Sequence, residues 1–381
     1  NQLAYHDIKT SEVTIISKEI PWDIDGFSIS DDGNKAAFTV NENGYSALYL
    51  LDTDSFKFNK VVSLPIGLVG GMQFNKDNMS LGLTLNTYQS PSDSYVLDLN
   101  SEALKYGKLT RWTYSEVGGL DTSKFVKPEL ITYPSFDGKE IPAFVYAKQS
   151  LSPQPVIIYI HGGPESQARP SFSSTFQLWM NNFGAAVITP NVRGSDGYGK
   201  EYLSLDNGFR REDSVKDIGA LLDWIKTQSN LDHKRVAVYG GSYGGYMVLA
   251  SAVYYSDRLK AAVDIVGISN FVTFLKNTKD YRRDLRRVEY GDERDPDMEK
   301  FLQRISPNNN VEQITVPMFV VQGQNDPRVP VTEAEQIVKS LRESGKKVWY
   351  MNALNEGHGY RKKENRDIYQ QAVVLFLKEN L

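Results

Sequence analysis

The alternation that begins near residue 156 constrains the fold most. Short, continuous apolar runs, at 156–160, 186–189, 235–239, 261–265, 316–321 and 347–351, are separated by longer segments with helical spacing. That spacing is clearest at Val215, Ile218, Leu221, Leu222 and Ile225, and again at Ala334, Ile337, Val338 and Leu341. Strands that are apolar at every position need cover on both faces, and strands alternating with helices pair in parallel. An α/β fold is expected: a mostly parallel sheet with helices on both faces, binding its ligands at the carboxyl ends of the strands. Just upstream, Glu129–Tyr146 reads as two alternating strands joined across Asp137-Gly138, a hairpin signal.

The N-terminal third obeys a different period. Three stretches, 5–12, 50–57 and 96–103, each run from an apolar strand end through an aspartate into a polar turn, and their aspartates are Asp7, Asp52 and Asp98. Between them, Phe27-Ser-Ile-Ser-Asp-Asp-Gly33 and Met72-Gln-Phe-Asn-Lys-Asp-Asn78 share a second pattern, a strand entering a tight turn with Gly or Asn where positive φ is cheap. A period of about 45 residues with about four strands per unit describes β-propeller blades. Residues 1–117 are therefore expected to be the C-terminal blades of a truncated propeller, with 118–381 forming the α/β domain. Closing a propeller takes about four to eight blades, and Asn1-Gln2 carries neither an initiator Met nor a signal segment, so the expectation is that the natural N-terminus is missing. Open blade edges invite pairing, with the missing propeller segment or with a second copy.

Composition removes several functional classes. The chain has 381 residues and no cysteine, which excludes disulfides, thiolate metal sites and a cysteine nucleophile; four histidines make a multi-histidine metal site a poor expectation. A net charge of −4 provides no basic footprint for nucleic acid. No apolar run approaches the roughly 18 residues that span a bilayer. No cofactor is expected, and the compartment is not legible.

Chemistry enters at Val238-Tyr-Gly-Gly-Ser-Tyr-Gly-Gly-Tyr-Met247. Gly240-Gly-Ser-Tyr-Gly244 fits G-x-S-x-G between a strand and a helix, the setting of a nucleophile elbow, so Ser242 is the candidate nucleophile. A serine hydroxyl needs a base and a carboxylate that orients it, and on this fold they follow in the order Ser, Asp/Glu, His. Only His358 lies beyond Ser242, in the glycine-flanked loop Asn355–Tyr360. Asp326, in the loop after the preceding strand, is the candidate carboxylate; Asp257, Asp264, Asp280, Asp284, Asp292, Asp295 and Asp297 come earlier, mostly in stretches that read as solvated. The developing oxyanion needs two donors. The backbone N–H of Tyr243 is one, and Gly163 in His161-Gly-Gly-Pro164 is the other; His161 itself reads as support for that loop.

Together these strings, with Asn191-Val-Arg-Gly-Ser-Asp-Gly-Tyr-Gly199, Asn325-Asp-Pro-Arg-Val-Pro330 and Glu356-Gly-His-Gly359, resemble the catalytic domain of the prolyl oligopeptidase family of serine peptidases. The likeness covers about residues 120–381 and is nearest to the acylaminoacyl-peptidase and dipeptidyl-peptidase-like branch. It implies an α/β-hydrolase fold, a propeller that restricts substrates to short peptides, and the roles already given to Ser242, Asp326, His358, Gly163 and Tyr243. Dipeptidyl members carry Tyr where His161 stands, so the resemblance favours backbone donors here and weakens a dipeptidyl assignment. The expected activity is hydrolysis of short peptides through an acyl-enzyme, with acylaminoacyl peptides as one candidate class. A carboxylesterase on the same triad is the alternative, and a non-catalytic binding protein a third reading. Elsewhere, Tyr281–Arg287 reads as a solvated basic helix face, Trp179 and Trp224 as core, and Arg193 and Arg328 as cations that could brace loops on the catalytic face.

Overall fold

The computed structural model describes residues 1–62, 64–99 and 105–381. Two compact units emerge, one of residues 1–128 with 169–177 and 197–199, the other of 129–168, 178–196 and 200–381.

The first unit is built from antiparallel sheets. Strands β1 (Ala4–His6) and β2 (Val13–Ile15) pair with each other, and two four-stranded meanders follow: β3 (Ile24–Ile29), β4 (Lys35–Glu42), β5 (Tyr45–Asp52) and β6 (Phe58–Lys60), then β7 (Gly67–Phe74), β8 (Ser80–Thr87), β9 (Ser90–Leu99) and β10 (Tyr106–Arg111). The recurring aspartates have a local cause. Asp7 accepts from the amides of Lys9 and Thr10, and Asp52 from the amide and hydroxyl of Ser55, so each ties a strand end into its turn. Gly33 and Asn78 take φ of +77° and +57° at equivalent turns. Within the third turn, residues 100–103 lie outside the described residues. Alternation along β4 feeds two cores: Ala36, Phe38 and Val40 pack with Leu3, Ile16 and Trp22, while Ala37 on the other side joins Leu48 and Leu50 against Leu81, Leu83 and Leu85 of the next sheet. Stacked four-stranded sheets sharing a core in this way are a partial propeller.

The second unit holds an eight-stranded sheet in the order β11 (Glu129–Pro134), β12 (Glu140–Tyr146), β14 (Ala186–Pro190), β13 (Gln154–Ile160), β15 (Leu231–Gly241), β16 (Ala261–Ile265), β17 (Met318–Gly323) and β18 (Val348–Ala353). From β14 to β18 every neighbouring pair is parallel; the hairpin strands β11 and β12 are antiparallel. Its helices are α1 (Ser174–Phe183), α2 (Gly199–Leu203), α3 (Arg211–Thr227), α4 (Tyr243–Tyr254), α5 (Phe271–Asn277), α6 (Asp280–Tyr290), α7 (Pro296–Ile305), α8 (Val331–Glu343) and α9 (Lys363–Asn380), the first two having residues in both units. Both faces of the sheet are covered. Val236 and Val238 of β15 join the core formed with α3, α4 and α8, while Tyr239 packs on Trp179 and Phe319 of β17 on Phe376 of α9. The mostly parallel, doubly covered sheet is the one expected from the alternation, and it is the α/β-hydrolase arrangement that the family resemblance implies. Trp179 is fully buried and Trp224 packs on the core edge. Among the described residues no helix is long and apolar enough to cross a membrane.

Candidate active site

Ser242 sits where β15 turns into α4, with φ +61° and ψ −121°, a conformation that costs a non-glycine residue of order 1–3 kcal/mol and persists only when the surroundings enforce it. The enforcement is visible. The Ser242 N–H donates to Ile265 O at 2.8 Å, and its carbonyl accepts from Gly245 and Tyr246 at 2.9 and 3.1 Å. A Cβ at Gly240 would strike the Gly244 carbonyl, and one at Gly244 would strike the Ile160 carbonyl. Both glycines of the pattern are thus required by close backbone approach between β13, β15 and α4.

Asp326 and His358 lie on the loops after β17 and β18, at the same carboxyl edge of the sheet. His358 Nδ1 donates to Asp326 Oδ2 at 2.6 Å, with the carboxylate side chain wholly buried. The other oxygen, Oδ1, accepts from the amides of Arg328 and Val329 at 2.8 and 3.0 Å. With its hydrogen on Nδ1, a neutral His358 leaves Nε2 as the basic nitrogen. The histidine loop is seated on β17: Asn325 N donates to Glu356 O at 2.9 Å and Tyr360 Oη to Gln322 O at 2.9 Å.

The loop 161–164 passes directly beside the elbow, where a Cβ on Gly162 would be 2.9 Å from Gly241 O and 3.3 Å from Ser242 Cβ. His161 is a brace in this loop. Its Nδ1 contacts Gly162 O at 2.7 Å and its Nε2 contacts Ser195 Oγ at 2.9 Å. A carbonyl only accepts, so Nδ1 carries the hydrogen; burial pushes the ring's pKa down, and the Ser195 hydroxyl beside Nε2 has Val192 O at 2.6 Å. The Gly162 carbonyl and the Gly163 N–H belong to one rigid peptide unit, so His161 fixes the direction of that amide. Tyr243 is the first residue of α4, and its N–H has no partner within the helix.

One expectation needs correction. The run Tyr281–Arg287 is not a uniformly solvated face: Tyr281 is exposed, but Arg286 is 8% exposed and its Nη1 lies 3.3 Å from Gly163 O. Arg286, Glu289 and Tyr290 fall on one helical face and are buried together. Asp264 lies in the apolar run 261–265, as expected of a covered strand. It is buried on β16, with its carboxyl pushed up to about 8 by that burial. Of the two bracing cations, Arg193 pairs with Asp217 at 2.8 Å and Asp137 at 3.1 Å, clamping the β11–β12 hairpin to α3. The Arg328 side chain has no ion pair among the described residues. Among the same residues, no group of three or more His, Asp or Glu side chains is arranged to hold a metal ion.

A parallel-sheet domain with a strained serine at a strand-helix turn, accompanied by propeller sheets, places the chain among α/β-hydrolases of the propeller-bearing kind. Residues 170–381, more than half of the chain, match the model of the prolyl oligopeptidase family. The chain belongs to that family. It is 34% identical over 236 residues to dipeptidyl aminopeptidase BIII of Pseudoxanthomonas mexicana, an alignment covering 60% of this chain and 34% of that one. A Mycobacterium tuberculosis puromycin-hydrolyzing peptidase superposes with a TM-score of 0.86 at 20% identity, over 97% of this chain and 57% of that one. Pyrococcus horikoshii acylaminoacyl peptidase gives a TM-score of 0.80 at 20% identity, over 100% and 59%. The chain thus spans about a third of the first relative's length and little more than half of the two solved structures.

Proposed function

We propose that the protein is a serine peptidase that hydrolyses short peptides through an acyl-enzyme. Ser242 Oγ attacks the scissile carbonyl while His358 Nε2 takes its proton; Asp326 holds the imidazole in the tautomer that can do so. The carbonyl oxygen becomes an oxyanion between the amides of Gly163 and Tyr243. Collapse breaks the C–N bond, the leaving amine takes the proton from His358, and water repeats the sequence to free the acid and restore Ser242. The observation that supports this reading most is the hydrogen bond from His358 to the buried Asp326 carboxylate, on the sheet edge that also carries a strained Ser242. All three relatives are described as peptidases, which favours peptides over esters, acylaminoacyl peptides among them.

Ser242→Ala should abolish both hydrolysis of peptide anilides and covalent labelling by a fluorophosphonate. Labelling that survives the substitution would sink the assignment. The His161-Gly-Gly-Pro164 loop also suits an esterase, so wild-type protein should be compared on peptide anilides and p-nitrophenyl acyl esters. Turnover of esters alone would replace the peptidase reading with a carboxylesterase.

A further inference from the structure

The proposed oxyanion donors belong to different elements, the loop after β13 and the start of α4, and the triad does nothing to set their separation. A buried chain of side chains links them. At one end Tyr243 Oη donates to Asp206 Oδ2 at 3.0 Å and accepts from Arg211 Nη1 at 3.1 Å. Arg211, fully buried, also pairs with Asp206; its Nη2 donates to the Glu289 carbonyl at 2.9 Å and lies 3.6 Å from Glu289 Oε1. Glu289 Oε2 takes the next link, Arg286 Nη1. At the far end Arg286 Nη1 and Tyr290 Oη both donate to the Gly163 carbonyl, at 3.3 and 3.4 Å, while Arg286 Nη2 reaches Glu165 Oε2 at 3.3 Å. The rings close the loop: Tyr290 stacks on Tyr243 at 6.1 Å and 13°, and the Arg211 guanidinium lies 4.9 and 5.3 Å from the two ring centres.

Stability alone is a weak reason for this arrangement, because buried ion pairs stabilise a fold little more than apolar groups of the same volume. Its two ends fall on Tyr243 and Gly163, the two residues whose amides must be held in register. Gly163 has φ +129°, a conformation open to glycine and to few other residues, so its own backbone does little to fix the direction of its amide. His161 fixes the peptide plane before it and Arg286 with Tyr290 the plane after it.

We propose that Arg211, Glu289 and Arg286 are positioning residues that set the spacing of the Gly163 and Tyr243 amides, and so act on the transition state and not on substrate binding. The inference rests on the peptidase reading above. Donors of this kind act by being fixed before charge develops, and a misplacement of about 1 Å costs about 10²-fold in rate.

The test uses the full chain and four variants, Arg286→Met, Arg286→Lys, Glu289→Gln and, as a surface control, Arg294→Met. Each is assayed for kcat and KM on a peptide anilide and for affinity toward a peptide aldehyde, which forms a tetrahedral adduct bearing the oxyanion. Arg286→Met should lose kcat by about 10²-fold, keep its KM, and lose aldehyde affinity by a similar factor. Arg286→Lys should recover part of both losses, and Arg294→Met should match wild type. Unchanged kcat in Arg286→Met overturns the proposal; so does a loss that appears in KM while aldehyde affinity is kept. Should Arg286→Met fail to fold, the near-isosteric Glu289→Gln decides: it should show the same split to a smaller degree, and wild-type kinetics there would also overturn the proposal. A wild-type protein that neither cleaves anilides nor labels with fluorophosphonate defeats the peptidase reading and this inference with it. An active wild type with indifferent variants defeats the inference alone.

Discussion

Asp326 gives one oxygen to His358 and the other to two backbone amides, so its orientation is set by its own loop before the histidine arrives. Substituting Asn keeps an acceptor for the amides but turns an N–H toward Nδ1, which drives the ring's hydrogen to Nε2 and removes the base. Asp326→Asn should therefore fold normally and lose about three to four orders of magnitude in kcat on a peptide anilide; a loss below tenfold would remove Asp326 from the proposed triad. His161 makes the converse case. As the brace of the Gly163 amide and not a proton carrier, it should be replaceable only at a cost in kcat, and His161→Ala should lower kcat on a peptide anilide by about 10²-fold while KM is kept. At this scale the sequence was informative where chemistry restricts residue type: a single histidine after Ser242 left no choice of base. It was silent on Arg286, because nothing in a run of arginines marks the buried one until the partners Glu289 and Glu165 are known.

Elements were legible where periodicity was undiluted. Every apolar run expected as a parallel strand is one; β13, β14, β16 and β17 are buried on both faces and tolerate little else, while the edge strand β18 is half-buried. The face of α6 was not legible, since its buried side consists of Arg286, Glu289 and Tyr290, which pattern reading scores as solvent-facing. What pattern cannot supply is distance between elements, and the elbow depends on it. Gly244 of α4 meets the backbone of β13, so Gly244→Ala must push the helix off the strand. Loss of folded protein, or a fall of several degrees in melting temperature with loss of fluorophosphonate labelling, is the expected outcome. A Gly244→Ala variant with wild-type melting and labelling would show that the contact yields.

For the molecule as a whole, the unusual buried acid is Asp264, whose Oδ1 has no hydrogen-bond partner among the described residues. Burial raises its pKa to about 8, opposed only by a backbone hydrogen bond from Gly267. The native state therefore keeps a proton that the unfolded chain releases above about pH 4. Stability should fall as pH rises from about 4 to about 8 and level off above that window. Urea unfolding at pH 5 and pH 7 should show Asp264→Asn with a shallower slope than wild type, and equal slopes would place the native carboxyl in its ionised form. The propeller sheets bear on the molecule in a different way. Ala37, Leu48 and Leu50 of one sheet and Leu81, Leu83 and Leu85 of the next fill one core between them. Over generations, the turns of each repeat are free to diverge on their own, while the inner faces are bound to one another: a bulkier side chain in one sheet survives only with a smaller one in its neighbour.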